Sequence, residues 1–154
     1  MEAFSSVLPV ETLQPPYHLF QRVIEEQTLP SAAAHDSGVL AYGPLAHGLL
    51  GGHLREETRF APGDRRASSA EFHGGRCRQN LAVGDELGKI AIDLVVSLGQ
   101  LATAWVPSNP AVDVAIVGTR DPNHVSEAVG AADLQLDGAW LERIERAVVD
   151  AVLV

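Results

Sequence analysis

The segment Gly118-Thr119-Arg120-Asp121-Pro122 has residue types that suit anion binding. It follows an apolar run that predicts a strand, and Asp121 with Pro122 predicts the start of a helix. Unpaired amides and the helix dipole at such a start attract an anion, and Arg120 can donate two hydrogen bonds to a phosphate. The alternative is a plain strand-to-helix turn with a solvated Arg120, and these five residues alone favour that alternative.

Several other chemical motifs are absent from the sequence. Gly43 to Gly48 has the spacing of a phosphate-binding loop, but Leu49 follows where that motif needs lysine, and no GxGxxG occurs. No serine lies in a GxSxG turn, so a hydrolase nucleophile is not expected. The histidines show no metal-ligand spacing and most of them are expected at the surface, as is the thiol of Cys77. We therefore predict no metal site.

Three segments predict the strands that would position such a site. Val10–Gln14 alternates apolar and polar residues before Pro15, whereas Gly38–Tyr42 and Val112–Val117 are continuous apolar runs typical of buried parallel strands. Helices are predicted between and after them, at 20–35 with a new helix opening at Pro30, and at 81–95, 97–106, 124–132 and 137–151.

The alternation of strands and helices predicts an α/β fold with parallel strands in a single domain over residues 1–154. A closed eight-stranded α/β barrel usually takes about 250 residues, so this chain is too short to form one. Three parallel strands cannot close into a barrel, and the outer two would leave sheet edges exposed. Residues 55–80 form a long predicted loop with six arginines against four acids, and a loop of this length indicates function or mobility.

Composition excludes some classes of partner. The 20 acidic residues outnumber the 11 basic ones, which argues against binding to nucleic acid. The longest apolar stretch, 90–106, contains Asp93, Ser97 and Gln100, so no membrane span is expected. Glu2 and Pro9 do not suit a targeting segment, and the single cysteine indicates a reducing compartment. We expect a cytoplasmic protein.

Four ordered motifs closely resemble the aldo-keto reductases. They are Leu13–Tyr17, Gly38–Gly51, Gln100–Trp105 and Ala115–Arg120. The resemblance runs from about Val10 to the C-terminus and covers the C-terminal half of that family's barrel. It implies a partial (β/α)8 TIM barrel, made of about the last three β/α units with a C-terminal helix.

The resemblance also implies a cofactor, because the family reduces aldehydes and ketones with NADPH. Gln14 matches the residue that hydrogen-bonds the nicotinamide carboxamide, and Tyr42 matches the aromatic residue that stacks on the nicotinamide ring. The turn carrying Gly43, Leu45 and Gly48 matches the loop beside the pyrophosphate.

The other end of the cofactor is matched by the segment after the third strand. Gly118, Thr119 and Arg120 match the residues that hold the adenosine 2′-phosphate, and His124 and Glu127 match positions that face the adenosine. The family often has Gln or Arg where His124 stands, Asn where Ala128 stands and Ser where Gly43 stands. These departures imply one adenine contact fewer.

The catalytic Asp, Tyr, Lys and His of the family belong to its N-terminal half, and nothing in this sequence replaces them. We therefore expect this chain to contain no catalytic residue and to form the cofactor-binding half of the site. A carbonyl substrate would bind only if an N-terminal half from elsewhere completed the barrel. Two alternatives remain. The chain is a noncatalytic module that self-associates or docks a partner through exposed sheet edges, or it is an inactive truncated remnant.

Overall fold

Three parallel strands form the sheet of this protein. The structure, a computed structural model, describes residues 7–119 and 121–152. The strands are β1 (Thr12–Leu13), β2 (Gly38–Tyr42) and β3 (Val114–Ile116), and β2 lies between the other two. The expected α/β architecture with parallel strands is confirmed. β1 is shorter than predicted; Gln14 follows it, and then come Pro15 and Pro16, which have no N–H to donate.

Five helices accompany the sheet. They are α1 (Thr28–Ala34), α2 (Gly74–Asp93), α3 (Leu98–Trp105), α4 (Pro122–Gly130) and α5 (Gly138–Val152). Local capping explains two of their starts. Ser97 accepts from the amide of Gln100, and the Gln100 side chain accepts from the amide of Ser97, which together make a capping box. Asp121 caps α4 and Pro122 occupies its first turn, as predicted.

Two helix boundaries differ from the sequence prediction. The predicted helix 20–35 is a short 3₁₀ turn, Val23–Glu25, followed by α1, which places Pro30 in a first turn where its missing N–H costs nothing. The predicted loop 55–80 ends early, because α2 begins at Gly74 and not at Leu81. The buried stripe of α2 already includes Cys77 and Asn80, whose polar neighbours masked the helical period.

Cys77 was expected at the surface, and this expectation was wrong. Most histidines were expected there too, and His18 is an exception. Cys77 is buried on the inner face of α2, and His18 is buried just after β1. The arginines on either side of Cys77 indicate an exposed segment if only neighbouring residues are considered. In a half-buried helix, however, every third or fourth residue is buried while its neighbours are exposed, and Cys77 occupies such a position.

The core lies on one side of the sheet. Val39 and Ala41 of β2 are completely buried there, together with Leu50, Leu87 and Leu101. The opposite side is uncovered: Tyr42 is 41% exposed and Val114 is 45% exposed. Parallel sheets are normally covered on both faces. We call this uncovered side, which carries Leu40, Tyr42 and Val114, the open face.

The C-terminal helix closes the core from a distance in sequence. α5 packs against α2, and its Ile144 is completely buried. Arg22 donates to Glu145 of α5 and to Glu25, and its guanidinium lies 5.3 Å from the ring centre of Trp105. An early segment and the last helix are thereby joined.

Within the described residues, no single helix is long and apolar enough to cross a membrane. When α2 and the segment Leu98–Ser108 are taken together, the pair is long and apolar enough, but the two parts are bent by 94° to each other.

Candidate functional site

A cleft opens where the segments after β2 and β3 meet α3 and α4. It encloses about 440 Å³ of empty space, including space open to solvent. It lies at the carboxyl ends of the strands, which is where ligands bind in α/β proteins. Five of the ten residues predicted to contact a cofactor line it: Leu45, Gly118, Thr119, His124 and Glu127.

Hydrogen bonds hold the wall formed by the start of α4. The hydroxyl of Thr119 lies 3.3 Å from Nδ1 of His124 and accepts from the amide of Asp121 at 3.0 Å. Asp121 in turn accepts from the amide of Asn123 at 2.9 Å. Arg120, predicted to hold a phosphate, lies outside the described residues. The described residues that line the cleft include no lysine or arginine. The positively charged residue next to them in sequence is Arg120, which follows the lining residue Thr119.

His53 is a lining residue that the sequence analysis missed. Its ring stacks on that of His124, with ring centres 6.1 Å apart and planes inclined by 16°. The two histidines lie far apart in sequence, so no spacing rule connects them. The only local signal is the preceding pair Gly51-Gly52, which marks a change of chain direction.

Gly99 forms another missed part of the lining. A Cβ at this position would lie 3.7 Å from Oε1 of Glu127 and 3.7 Å from Cδ2 of Leu45. A glycine in the first turn of a helix is unfavourable unless packing requires it, and that is the signal that could have identified it. A methyl group here would therefore stand in ordinary contact with Glu127 and Leu45 of the cleft lining.

Gln14 and Tyr42 lie apart from this cleft, at the neighbouring ends of β1 and β2. The amide of Tyr42 donates to the carbonyl of Pro15 at 3.0 Å, and the amide of Tyr17 donates to the carbonyl of Tyr42 at 3.1 Å. The backbone at Tyr42 is therefore fixed, while its side chain and that of Gln14 are exposed. Both are accessible to a ligand.

The other tyrosine, Tyr17, is a core residue. Its side chain is 1% exposed, its ring centre lies 5.0 Å from that of Trp105, and its hydroxyl donates to Glu25 at 2.6 Å. Burial and the neighbouring Glu25 carboxylate raise the pKa of Tyr17. Tyr17 therefore closes the core and is not accessible to a ligand.

The turn after β2 joins the two parts of the site. Gly43 has φ +76° and no atom near the position of a Cβ, and Gly48 has φ +106°. The amide of Gly48 donates to the carbonyl of Leu45 at 2.8 Å. Gly43 and Gly48 lie outside the cleft lining, whereas Leu45 faces it.

Two histidines at or near this turn, His18 and His47, have lowered pKa values. Burial lowers the pKa of His18 to about 4, the charge of His47 adds to the effect, and Glu71 opposes it. Burial and the charge of Arg65 also lower the pKa of His47. In the part of the chain that the structure describes, no group of three or more His, Cys, Asp or Glu side chains is arranged to hold a metal ion.

Comparison with known proteins matches the same motifs. The model of the aldo/keto reductase family matches residues 1–149. Aldo-keto reductase YhdN of Bacillus subtilis is 36% identical over 126 residues, which cover 81% of this chain and 38% of that protein. Aldo-keto reductase yakc of Schizosaccharomyces pombe, whose name specifies NADP(+), is 26% identical over 153 residues, covering 97% and 45%.

A solved structure has the same fold. The glycerol dehydrogenase of Gluconobacter oxydans superposes with a TM-score of 0.92 at 34% identity, covering 99% of this chain and 46% of the other. This match confirms the predicted partial barrel. The chain spans less than half the length of these relatives.

Proposed function

Because the chain belongs to the aldo/keto reductase family, we propose that it carries part of an NADPH site and no catalytic residue of its own. The activity to which it contributes is the reduction of an aldehyde or ketone. The catalytic Asp, Tyr, Lys and His come from a further stretch of polypeptide. One observation carries the proposal: the cleft brings together Leu45, Gly118, Thr119, His124 and Glu127, the residues that the family resemblance assigns to the cofactor.

The cleft fits the adenosine end of such a cofactor. Gly118 has no heavy atom within 4 Å of where a Cβ would stand, so its backbone is open to a ligand. The Thr119 hydroxyl, which in this structure donates to the carbonyl of Asp121 at 3.2 Å, would exchange that bond for one to a phosphate oxygen, and the His124 ring lies beside the same space. Arg120 follows Thr119 directly and would supply the positive charge for a 2′-phosphate.

The exposed pair at the strand ends fits the nicotinamide end. The Tyr42 ring can stack on a planar ring while its backbone stays fixed in the sheet, and the Gln14 amide can hydrogen-bond a carboxamide. When bound, NADPH supplies the hydride for carbonyl reduction. The residues of this chain bind and orient it.

A titration of the purified chain with NADPH and NADH, followed by cofactor fluorescence, tests the proposal. We expect NADPH to bind more tightly than NADH. Arg120→Gln should weaken NADPH at least tenfold and leave NADH almost unchanged, since a hydrogen bond to a charged group is worth about 1.5–3 kcal/mol. Arg59→Gln in the 55–80 segment is the matched control and should change neither. Absence of binding at millimolar NADPH, or an equal loss of both cofactors in Arg120→Gln, would contradict the proposal.

The open face supports a second candidate function, a docking module. Tyr42 and Val114 expose apolar surface there, and among residues 7–119 and 121–152 no strand pairs with the outer side of β1 or of β3. Sedimentation of the chain from micromolar to millimolar concentration should then show self-association that Val114→Lys abolishes. A monomer at every concentration would exclude self-association.

We also propose a cytoplasmic location, which the free thiol of Cys77 supports because reducing compartments keep cysteines unpaired. Fractionation of cells that express the tagged chain tests it, and recovery in a membrane or secreted fraction would contradict it.

A further inference from the structure

The turn Ala46–His47–Gly48 has a backbone that needs support. Ala46 has φ +46° and His47 has φ +55°, next to Gly48 at φ +106°. Residues with a side chain rarely adopt the left-handed region, and two in succession persist only when their surroundings hold them. The contacts of this turn should therefore include the groups that keep it in place.

Arg66 makes such a contact from the long segment between β2 and α2. Its Nη1 donates to the carbonyl of His47 at 3.3 Å. The same nitrogen lies 3.6 Å from where a Cβ at Gly48 would stand. Arg66 thus touches the turn at the carbonyl between its two strained residues and its glycine.

Arg66 is itself held rigidly. Its Nε and Nη2 donate to the two carboxylate oxygens of Asp64, at 3.0 and 2.7 Å. Its guanidinium lies over the ring of Phe60, 4.5 Å from the ring centre, and Phe60 packs edge-on against Phe72 at 5.4 Å. Phe72 is buried in the core. A continuous series of contacts therefore runs from the core through Arg66 to the turn.

We propose that Arg66 is a positioning residue that holds the turn Ala46–His47–Gly48 in the conformation that binds the cofactor. This inference rests on the proposed function, which places Leu45 beside the cofactor, and on the family resemblance, which assigns the turn from Leu45 to Gly48 to the pyrophosphate. Arg66 acts through the His47 carbonyl and the backbone, without itself touching the cofactor. It gives the 55–80 segment a defined role in the site.

Hydrogen exchange tests the structural part without any cofactor. Arg66→Gln should speed deuterium uptake by the amides of residues 45–50 at least fivefold and leave α2 and α5 unchanged. Arg59→Gln, an equal loss of charge on an exposed side chain of the same segment, is the matched control, and its uptake should equal that of the wild type. His47→Gly makes the left-handed conformation inexpensive, so adding Arg66→Gln to it should change the uptake less than twofold.

Cofactor affinity tests the functional part. Arg66→Gln should raise the Kd for NADPH about five- to twentyfold, and the double variant with His47→Gly should recover most of the affinity. Uptake in Arg66→Gln that equals the wild type, or that rises equally throughout the chain, would overturn the proposal. So would an undiminished loss of affinity in the double variant. If the wild type binds no NADPH, the proposed function fails, and the exchange comparison still decides whether Arg66 holds the turn.

Discussion

The buried His18 makes the stability of this protein depend on pH in a specific way. His18 is 6% exposed, and its Nδ1 accepts from the amide of Phe20 at 3.3 Å, an acceptor role that protonation removes. Its pKa falls from 6.5 in the unfolded chain to about 4 in the folded one. Between these pH values the unfolded state binds more protons than the folded state. Neutral His18 therefore costs the folded protein nothing above pH 6.5, and the free energy of unfolding falls as the pH drops from 6.5 toward 4.

The size of the effect follows from the two pKa values. Linkage predicts that His18 costs the folded state about 2 kcal/mol between pH 7 and pH 5. His18→Asn keeps a side-chain acceptor and removes the titration. Urea unfolding of both proteins at the two pH values provides the test, because other groups contribute equally and cancel in the difference.

We expect the stability of His18→Asn relative to the wild type to improve by about 2 kcal/mol on going from pH 7 to pH 5. A relative stability that stays constant within about 0.5 kcal/mol would refute the lowered pKa of His18 in the folded protein.

Four further predictions concern the helices, the cleft and the core. Gly88→Ala, in the middle of α2 with open space around it, should stabilise the chain by about 0.5–1 kcal/mol and leave NADPH affinity unchanged. Gly99→Ala should instead lower NADPH affinity without loss of stability, and equal affinity in the two variants would show that the cleft is not the binding site. Ser97→Ala should cost about 1 kcal/mol in urea unfolding, and a cost near zero would mean that the capping box adds nothing. Leu50→Ala should cost about 2–5 kcal/mol in the same assay, and a loss below about 1 kcal/mol would contradict its place in the core.

Local signals in the sequence predicted the regular elements well. β2 has the predicted bounds because Gly38 and Gly43 delimit an unbroken apolar run. Ser97 and Asp121 cap helices as predicted, because capping depends on residues within one turn. The start of α2 was missed because its first two turns are polar except for buried positions that only the folded chain identifies.

The candidate site was predictable only in part. The family motifs pointed to Leu45, Thr119 and Glu127, and the structure brings them to one cleft. The stacking of His53 on His124 depends on how the segments after β2 and β3 approach each other, which no local pattern encodes. The contact of Arg66 with the turn is non-local for the same reason. The binding of NADPH at this cleft stays a prediction.

The contact between Arg22 and Glu145 has a consequence for how the chain folds during synthesis. The two residues are separated by 123 positions, so this bond closes a loop of most of the chain. Contacts of such sequence separation form slowly because the entropy of closing the loop opposes them. α5 follows every other described element in sequence and so leaves the ribosome after them, and until it docks, the apolar face of α2 that it covers remains exposed. The nascent chain therefore offers chaperones a binding surface that the folded protein no longer has.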